Sequence, residues 1–320
     1  MSAGETRART VFFGSGSFAV PILEALVSAP EIELVGVVAA PDRPSGRGGR
    51  IQSVPVVRRA RELGLPVLQP ARVRDPEVIE AIARLRPDLG VLADYGRLIP
   101  EALLALPARG ILNVHPSLLP RHRGAAPIQA TILAGDREAG VTLIRMDAGL
   151  DTGPIVAVER WPLGGRETAP ELEARAAAAG AALLRRSLAG WLAGTLPAHA
   201  QPAEGVTLTR PLRRADGHLD PARTAAELER QVRAYQPWPG SYLDSSLGRL
   251  VVWRASVLAD GAGPAGRAEP GQLVAVGDGL GLVTAHGLLR LEEVQLAGRR
   301  RMTGPELRRG HPELVGERVR

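Results

Sequence analysis

The chain reads Thr10-Val11-Phe12-Phe13-Gly14-Ser15-Gly16-Ser17-Phe18-Ala19 near its N-terminus. Thr10–Phe13 is a short apolar run that ends at a turn residue, which is typical of a buried strand. The glycine-rich turn leads into Phe18–Val27, where the apolar residues follow a helical pattern. This stretch therefore predicts a strand, a tight turn and a helix, the first step of an open α/β sheet.

The turn itself nearly matches the dinucleotide-binding fingerprint G-x-G-x-x-G/A. That fingerprint also needs an acidic residue where the second strand ends, about twenty residues further on. Here the second strand ends Val37-Val38-Ala39-Ala40, and Asp42 lies beyond it in a loop rich in proline and glycine. A tight strand-to-helix turn without a nucleotide is therefore the favoured interpretation.

Apolar runs and helical patterns go on alternating through the first half of the chain. The predicted strands are Thr10–Phe13, Ile32–Ala39, Leu89–Ala93, Gly110–Val114, Val141–Arg145 and Ile155–Arg160. The predicted helices are Phe18–Val27, capped by Ser17, then Val54–Glu62, Pro76–Arg84 with Asp75 as its cap, Pro100–Leu106 and Glu171–Leu192. Such alternation indicates an α/β fold with a Rossmann-like open, mostly parallel sheet.

The last third of the chain has a different pattern. One helix is predicted over Thr224–Tyr235, and short strands separated by glycine-rich turns are predicted over Leu250–Ser256, Gly271–Val276, Gly281–Thr284 and Leu288–Val294. This spacing suggests a small β-barrel or sandwich. We therefore predict a first domain over residues 1–192, a linker over 193–206 that is rich in proline and glycine, and a second domain over 207–320.

Composition limits the classes of protein and of partner. The 320 residues contain no cysteine, which excludes disulfides and thiolate metal sites and points to a reducing compartment, the cytoplasm. No segment resembles a signal peptide or a membrane helix. The net charge is +6, and all 40 basic residues are arginine. Arginine in place of lysine is typical of GC-rich coding, whereas the excess over acids is compatible with a nucleic-acid partner.

Three polar residues stand out as a candidate catalytic set. Asn113 and His115 are two apart on a predicted strand, so their side chains point to the same side, at the strand end where α/β sheets bind ligands. Asp151 lies between two glycines in Gly149-Leu150-Asp151-Thr152-Gly153. Each could instead be a satisfied polar group or a turn residue. Together they suit acyl transfer, with Asn113 and His115 at an oxyanion and Asp151 charging the imidazole. No Ser or Cys is placed as a nucleophile, which therefore belongs to the substrate.

A long motif surrounds this set. The run from Asn113 to Gln129, which includes Ser117-Leu118-Leu119-Pro120-Arg121-His122-Arg123-Gly124-Ala125-Ala126-Pro127, resembles the folate-dependent formyltransferases, as does Met146-Asp147-Ala148-Gly149-Leu150-Asp151-Thr152-Gly153. Three further features resemble the members of that family that act on a charged tRNA. They are the loop Pro41–Gly49, the sequence Gly124-Ala125-Ala126-Pro127-Ile128-Gln129, and Tyr235-Gln236-Pro237-Trp238-Pro239-Gly240.

The resemblance implies a Rossmann-like formyltransferase domain, a linker and a small barrel similar to an oligonucleotide-binding fold. It implies that Asn113, His115 and Asp151 are catalytic. It also implies a folate site formed by Ser117, Leu118, Leu119, Pro120, Tyr95, Met146 and Asp147, and tRNA contacts by Arg43, Arg47 and Arg50.

The implied reaction moves the formyl group of 10-formyltetrahydrofolate to the amine of initiator methionyl-tRNA, without a metal and in a monomeric cytoplasmic enzyme. The chain departs from the family where Arg50 follows Gly49 in place of the frequent Lys, and where Leu219-Asp220-Pro221 replaces Ile-Asp-Trp.

Two alternatives stay open at this point. One is a related enzyme that formylates a small amine, such as an amino sugar nucleotide or a glycinamide ribonucleotide. The other is a non-catalytic RNA-binding protein on an old enzyme fold, against which the three intact polar residues argue.

Overall fold

The computed structural model describes residues 7–45, 50–258 and 268–319. By its internal contacts the chain divides into two compact units. The first unit contains Met1–Pro127, Glu138–Pro162 and Glu173–Arg210, and the second contains Ile128–Arg137, Leu163–Leu172 and Pro211–Arg320. The domain boundaries predicted from the sequence, 1–192, 193–206 and 207–320, stay predictions.

The first unit is built on a seven-stranded sheet. The strands before residue 210 are β1 (Ala8–Gly14), β2 (Ile32–Val38), β3 (Arg43–Ser45), β4 (Arg50–Gln52), β5 (Val67–Leu68), β6 (Leu89–Ala93), β7 (Ile111–His115), β8 (Arg123–Gly124), β9 (Glu138–Arg145), β10 (Ile155–Pro162) and β11 (Leu208–Thr209). The sheet order is β10-β9-β7-β6-β1-β2-β5. Strands β7, β6, β1, β2 and β5 are parallel, whereas β9 and β10 are antiparallel to their neighbours. The predicted mostly parallel sheet is confirmed.

Six helices connect these strands: α1 (Ala19–Val27), α2 (Pro55–Glu62), α3 (Pro76–Arg84), α4 (Glu101–Leu104), α5 (Pro127–Ala134) and α6 (Ala169–Ala193). Helix α5 was not predicted, and its even distribution of apolar residues gives no periodic signal. The predicted cap by Ser17 is wrong: α1 begins one residue later, and the Ser17 hydroxyl donates to Glu173 Oε1 at 2.5 Å. Asp75 does precede α3, with Pro76 in the first turn, but its side chain makes no capping hydrogen bond.

The second unit contains an antiparallel sheet of six strands, which is consistent with the predicted domain of one helix and a small β-barrel. The elements are α7 (Ala225–Ala234), β12 (Ser241–Ser245), β13 (Gly248–Leu258), β14 (Leu273–Val276), β15 (Gly279–Val283), β16 (Leu288–Leu296), β17 (Met302–Thr303) and α8 (Gly304–Gly310), with short 3₁₀ turns at Arg214–Gly217 and Pro312–Leu314. The order is β12-β13-β16-β15-β14, and β17 pairs with β16. Leucines and valines from both helices and from these strands form one buried core.

Residues 199–209 run along the first unit and are called the return segment here. His199 exchanges backbone hydrogen bonds with Ile155, of 2.7 and 2.8 Å. Further along, β11 pairs in parallel with β8. His199 of the predicted linker and Leu208–Thr209 of the predicted second domain are therefore both held on the first unit by main-chain pairing. No helix in the described part of the chain is both long and apolar enough to cross a bilayer.

The core of the first unit gives a direct test of the fold. Leu112 lies on the central strand β7 and is 0% exposed, whereas Leu98 is 79% exposed. We expect Leu112→Ala to lower the free energy of unfolding by about 2–5 kcal/mol, because it leaves a cavity in a packed interior. Leu98→Ala, the matched control, should change it by less than about 0.5 kcal/mol. Denaturant unfolding of the full chain measures both, and equal effects would contradict the burial assigned to β7.

Candidate active site

Strand β7 carries Asn113 and His115 into the interior of the first unit. Both side chains are buried, with 5% and 4% exposure. They lie opposite Ile144 and Thr142 of β9, respectively. Because the two residues are two apart on the strand, they face the same side, as the sequence predicts.

Asp151 completes the cluster from the loop between β9 and β10. Its Oδ1 accepts a hydrogen bond from Asn113 Nδ2 at 3.2 Å, and its Oδ2 accepts one from the Gly124 backbone N–H at 2.8 Å. The same Oδ2 lies 3.6 Å from His115 Nδ1. The structure thus brings together the three residues predicted to be catalytic.

The backbone of Asp151 is held in the left-handed region, with φ of 52°. Aspartate tolerates this region better than most residues, but a non-glycine residue there still needs neighbours that enforce it. Gly153 packs so closely on the carbonyl of Arg145 that a Cβ at that position would clash with it. The conformation of this turn therefore sets the direction of the Asp151 carboxylate.

His115 is enclosed between two loops. Its Nε2 lies 3.1 Å from the carbonyl oxygen of His122. A carbonyl only accepts hydrogen bonds, so Nε2 carries the proton in the neutral ring and Nδ1 faces Asp151 with its lone pair. At 3.6 Å the His115–Asp151 contact is too long for a direct hydrogen bond.

Burial lowers the pKa of His115, and this effect outweighs the opposing influence of the Asp151 carboxylate and of the bond to His122. Burial therefore disfavours the predicted imidazolium at neutral pH. The sequence argument counted the charge of Asp151 but not the cost of removing His115 from water. The lowered pKa of His115 therefore favours the neutral imidazole beside Asp151.

The predicted folate residues fall into two groups. Ser117 is 2% exposed, and its hydroxyl donates to the carbonyl of Arg121 at 2.6 Å. Thr142 Oγ1 bonds the backbone on both sides, with the Ser117 carbonyl at 2.7 Å and the Leu119 N–H at 3.1 Å. Leu119 and Pro120 are buried in this loop, and Leu118 is half-buried. This first group therefore lies beside the middle of β9.

The second group lies beyond the end of β9. Tyr95 is 2% exposed and packs edge to face on Phe13, with ring centroids 5.8 Å apart, in an apolar cluster that Met146 also contacts. Met146 is four residues after Thr142, or about 13 Å further along a strand, so the two groups are separated by that length. The Asp147 carboxylate is occupied by its own loop, since it accepts from the Gly149 N–H and the Thr152 hydroxyl.

The turn after β1 has its own acidic surroundings. The N–H groups of Ser15 and Gly16 both donate to the carbonyl of Asp94, at 3.0 and 3.3 Å. The Asp94 carboxylate lies where a Cβ on Gly16 would be. Burial raises the pKa of Asp94 to about 7, and the negative charge of Glu173 adds to the shift. A turn whose amides are occupied and whose neighbours are carboxylates is poorly suited to a phosphate.

Two of the three arginines predicted to contact tRNA lie on a pair of short antiparallel strands. Arg43 of β3 lies opposite Gln52, and Arg50 of β4 lies opposite Ser45. Arg47 lies outside the described residues, and the structure says nothing of the three side chains.

Sequence reasoning missed the backbone and side-chain groups that hold the cluster in place. They are the carbonyl of His122, the N–H of Gly124, and three side chains of the return segment, Gln201, Thr207 and Thr209. Thr207 and Thr209 are two apart, a spacing that places both on one side of an extended chain. That spacing was the one available signal.

Within the described ranges, no group of three or more His, Asp or Glu residues could hold a metal ion. The prediction that the reaction needs no metal stays a prediction.

The neutral imidazole is directly testable. We expect His115 to titrate below the usual histidine pKa of ~6.5, because burial disfavours its charged form. Asp151→Asn should lower the pKa further, because it removes the carboxylate that favours the cation. The pH dependence of the imidazole NMR signals measures both values, with the exposed His286 as the internal reference. A His115 pKa above 7 in the wild type would contradict the assignment.

Comparison with known proteins identifies the family of the chain. The formyl transferase family matches residues 8–188, and the formyl transferase C-terminal domain matches residues 211–312. The methionyl-tRNA formyltransferase of Symbiobacterium thermophilum is 43% identical over 312 residues, which cover 97% of this chain and 94% of that protein. The methionyl-tRNA formyltransferase of Thermus thermophilus is 44% identical, with 97% and 99% coverage.

A solved structure shares the fold. The N-formyltransferase of Helicobacter canadensis, in complex with folinic acid and dTDP-3-aminofucose, superposes with a TM-score of 0.66 at 17% identity, over 89% of this chain and 98% of that one. At this identity the likeness shows the fold alone, whereas the identity to the curated relatives extends over nearly the full length of both chains. The chain is an enzyme that belongs to the formyl transferase family, within its group of methionyl-tRNA formyltransferases.

Proposed function

We propose that this enzyme transfers the formyl group of 10-formyltetrahydrofolate to the free amine of methionyl initiator tRNA, as translation initiation requires. The observation that carries the proposal is the cluster of Asn113, His115 and Asp151 in a chain of which 97% aligns with methionyl-tRNA formyltransferases. We further propose that the enzyme is a monomer and works in the cytoplasm.

Asn113 is proposed to stabilise the oxyanion that forms when the amine attacks the formyl carbon. One of its two amide N–H groups is bonded to Asp151. The other has no partner among the described residues and can donate to an oxyanion. A fixed donor of this kind is effective because it needs no reorganisation during the reaction.

The His115–Asp151 pair is proposed to accept the proton that the attacking amine loses and to return it to the leaving nitrogen. The amine loses one proton when it forms the new N–C bond, and the leaving nitrogen gains one when the old bond breaks. A neutral imidazole beside a carboxylate has a free basic site and can accept the first proton. The same pair can then return it to the leaving nitrogen or donate a hydrogen bond to the oxyanion.

The residues around Tyr95 fit a folate. The Tyr95 hydroxyl is buried and has no hydrogen-bond partner in the described part of the chain. Burial raises the pKa of this hydroxyl to about 12, so it remains a donor at neutral pH. An apolar wall with one unmatched donor suits a flat heterocycle with polar edges. We propose that Tyr95 and Met146 contact the ring, and that Ser117, Leu118, Leu119, Pro120 and Asp147 shape the loops around it.

The predicted second domain, residues 207–320, is proposed to hold the tRNA. A groove beside α8 is lined by Arg299, Arg300, Arg309 and His311. Arg299 and Arg309 are exposed. Neither guanidinium forms an ion pair with a carboxylate in the described part of the chain. Free guanidinium groups are well suited to phosphate oxygens. Arg43, Arg47 and Arg50 are proposed as the contacts to the acceptor stem.

A formyltransferase for a small phosphorylated amine is the alternative. The occupied turn amides of Ser15 and Gly16 and the nearby carboxylates of Asp94 and Glu173 disfavour a nucleotide phosphate at that turn. Formyl transfer should be assayed with methionyl initiator tRNA, a dTDP-amino sugar and glycinamide ribonucleotide in parallel. Transfer to tRNA at a far higher kcat/KM supports the proposal, and transfer to a small amine alone overturns it.

The role of Asn113 gives the first functional prediction. Asn113→Ala should lower kcat by roughly 10²–10³, the usual effect of removing one oxyanion donor. The KM for both substrates should stay within about threefold, because the donor acts in the transition state. Single-turnover transfer at saturating tRNA and folate measures the effect. Near-native turnover would remove Asn113 from the mechanism.

The groove beside α8 gives the second functional prediction. Arg299→Ala and Arg309→Ala should each weaken initiator and elongator tRNA alike and reduce the slope of log K against log salt by about one unit, since each loses one phosphate contact. Arg84→Ala, at an exposed arginine paired with Glu80 at 3.1 Å, is the matched control and should leave the slope unchanged. If the groove variants behave like Arg84→Ala, the groove is not a tRNA site.

A further inference from the structure

Gln201 occupies a central position between two loops of the site. Its Nε2 donates to the carbonyls of Asp151 and Gly153, at 2.7 and 2.8 Å. Its Oε1 accepts from Arg123 Nε and Nη2, at 3.1 and 2.7 Å. A carboxamide has two N–H donors and one oxygen with two lone pairs, so every hydrogen-bonding position of this side chain is filled.

The orientation of this amide is determined by its partners. Carbonyl oxygens only accept and a guanidinium only donates. A flipped amide would set its oxygen against two carbonyls and its NH₂ against Arg123. Gln201 is therefore a specific connector between an acceptor pair and a donor pair, and few other side chains could replace it.

The two carbonyls belong to the turn that directs the Asp151 carboxylate. Asp151 has its left-handed φ of 52°, and the bonds from Gln201 fix the peptide groups on the C-terminal side of Asp151 and Gly153. Such a conformation persists where the surroundings enforce it. Without Gln201, this turn loses two hydrogen bonds that hold the carboxylate toward Asn113 and His115.

The side-chain oxygen of Gln201 binds the second loop of the site through Arg123. Arg123 lies between His122, whose carbonyl faces His115, and Gly124, whose N–H binds Asp151. The return segment also holds this loop through Thr207 Oγ1, which accepts from the His122 N–H at 2.8 Å. The return segment thus binds both loops that face the His115 ring, the turn at Asp151 and the loop at His122–Gly124.

We propose that Gln201 is a positioning residue for formyl transfer: its carboxamide sets the Asp151 turn and the His122–Gly124 loop at the spacing that the His115–Asp151 pair requires. The inference rests on the proposed roles of His115 and Asp151. It assigns no contact between Gln201 and either substrate.

Gln201→Glu separates the two halves of the connector. The carboxylate keeps the acceptor for Arg123, and as a charged partner it strengthens that contact. It loses both donors and sets negative charge against the carbonyls of Asp151 and Gly153. The variant should therefore fold with a Tm close to that of the wild type, while kcat falls by about 10–100-fold through lost orientation. KM for methionyl-tRNA and the Kd for folinic acid should change by less than about twofold.

The matched control is Gln272→Glu, at a half-buried glutamine of the second unit whose Nε2 donates to the carbonyl of Gly316 at 3.3 Å. It should leave kcat unchanged. In the double variant Gln201→Glu/Asp151→Asn, kcat should equal that of Asp151→Asn alone, since both changes act through one carboxylate. If the two substitutions lower kcat multiplicatively, Gln201 acts independently of the His115–Asp151 pair and the inference fails.

A second measurement needs no turnover. If Gln201 holds Asp151 beside His115, the NMR-determined pKa of His115 in Gln201→Ala should fall toward its value in Asp151→Asn. An unchanged His115 titration and an unchanged kcat would overturn the inference, even if Tm drops. If Asp151→Asn itself keeps full activity, the proposed function of the pair fails first, and the two failures are distinguishable.

Discussion

The Asp151 carboxylate joins its own loop to two other parts of the chain, strand β7 and the loop at Gly124. It accepts from the Asn113 amide on β7 and from the Gly124 N–H, and it faces His115. The two N–H donors give each carboxylate oxygen a hydrogen bond, which offsets part of the cost of its burial. Strand β7 already places Asn113 and His115 on one side, and the Asp151 carboxylate links them to the Gly124 N–H and to its own loop, which lies 27 to 38 residues away in sequence. Its direction depends in turn on a left-handed residue and on Gln201.

Burial and charge compete at His115, and burial is stronger. An exposed histidine next to a carboxylate would gain a proton, because the solvent would still hydrate the cation. At 4% exposure that hydration is lost, so the carboxylate restores only part of the basicity. A neutral imidazole is the form that can accept a proton from an amine.

Periodicity was sufficient to predict six of the seven strands of the first sheet and part of the site, whereas the two-residue strand β5 is too short to give a periodic signal. The position of Asn113 and His115 on one side of β7 follows from the two-residue repeat, and the glycines around Asp151 indicated its turn. The role of Gln201 left no such trace, because a carboxamide that bridges two carbonyls and a guanidinium needs no repeat, only position. Proline and glycine near it predicted a linker. Proline and glycine can also bend a chain that runs along a protein surface. Composition does not distinguish such a segment from a linker between domains.

Most of the contacts that orient the site end on the backbone. The carbonyl of His122, the N–H of Gly124 and the carbonyls of Asp151 and Gly153 each bind a functional or positioning side chain. A substitution cannot delete a main-chain group, and it can only move it. The loops around the site can therefore vary in sequence where side chains point outward, provided that the backbone path is kept. The overall fold is shared at 17% identity with the N-formyltransferase of Helicobacter canadensis, and a shared fold does not by itself fix the acceptor.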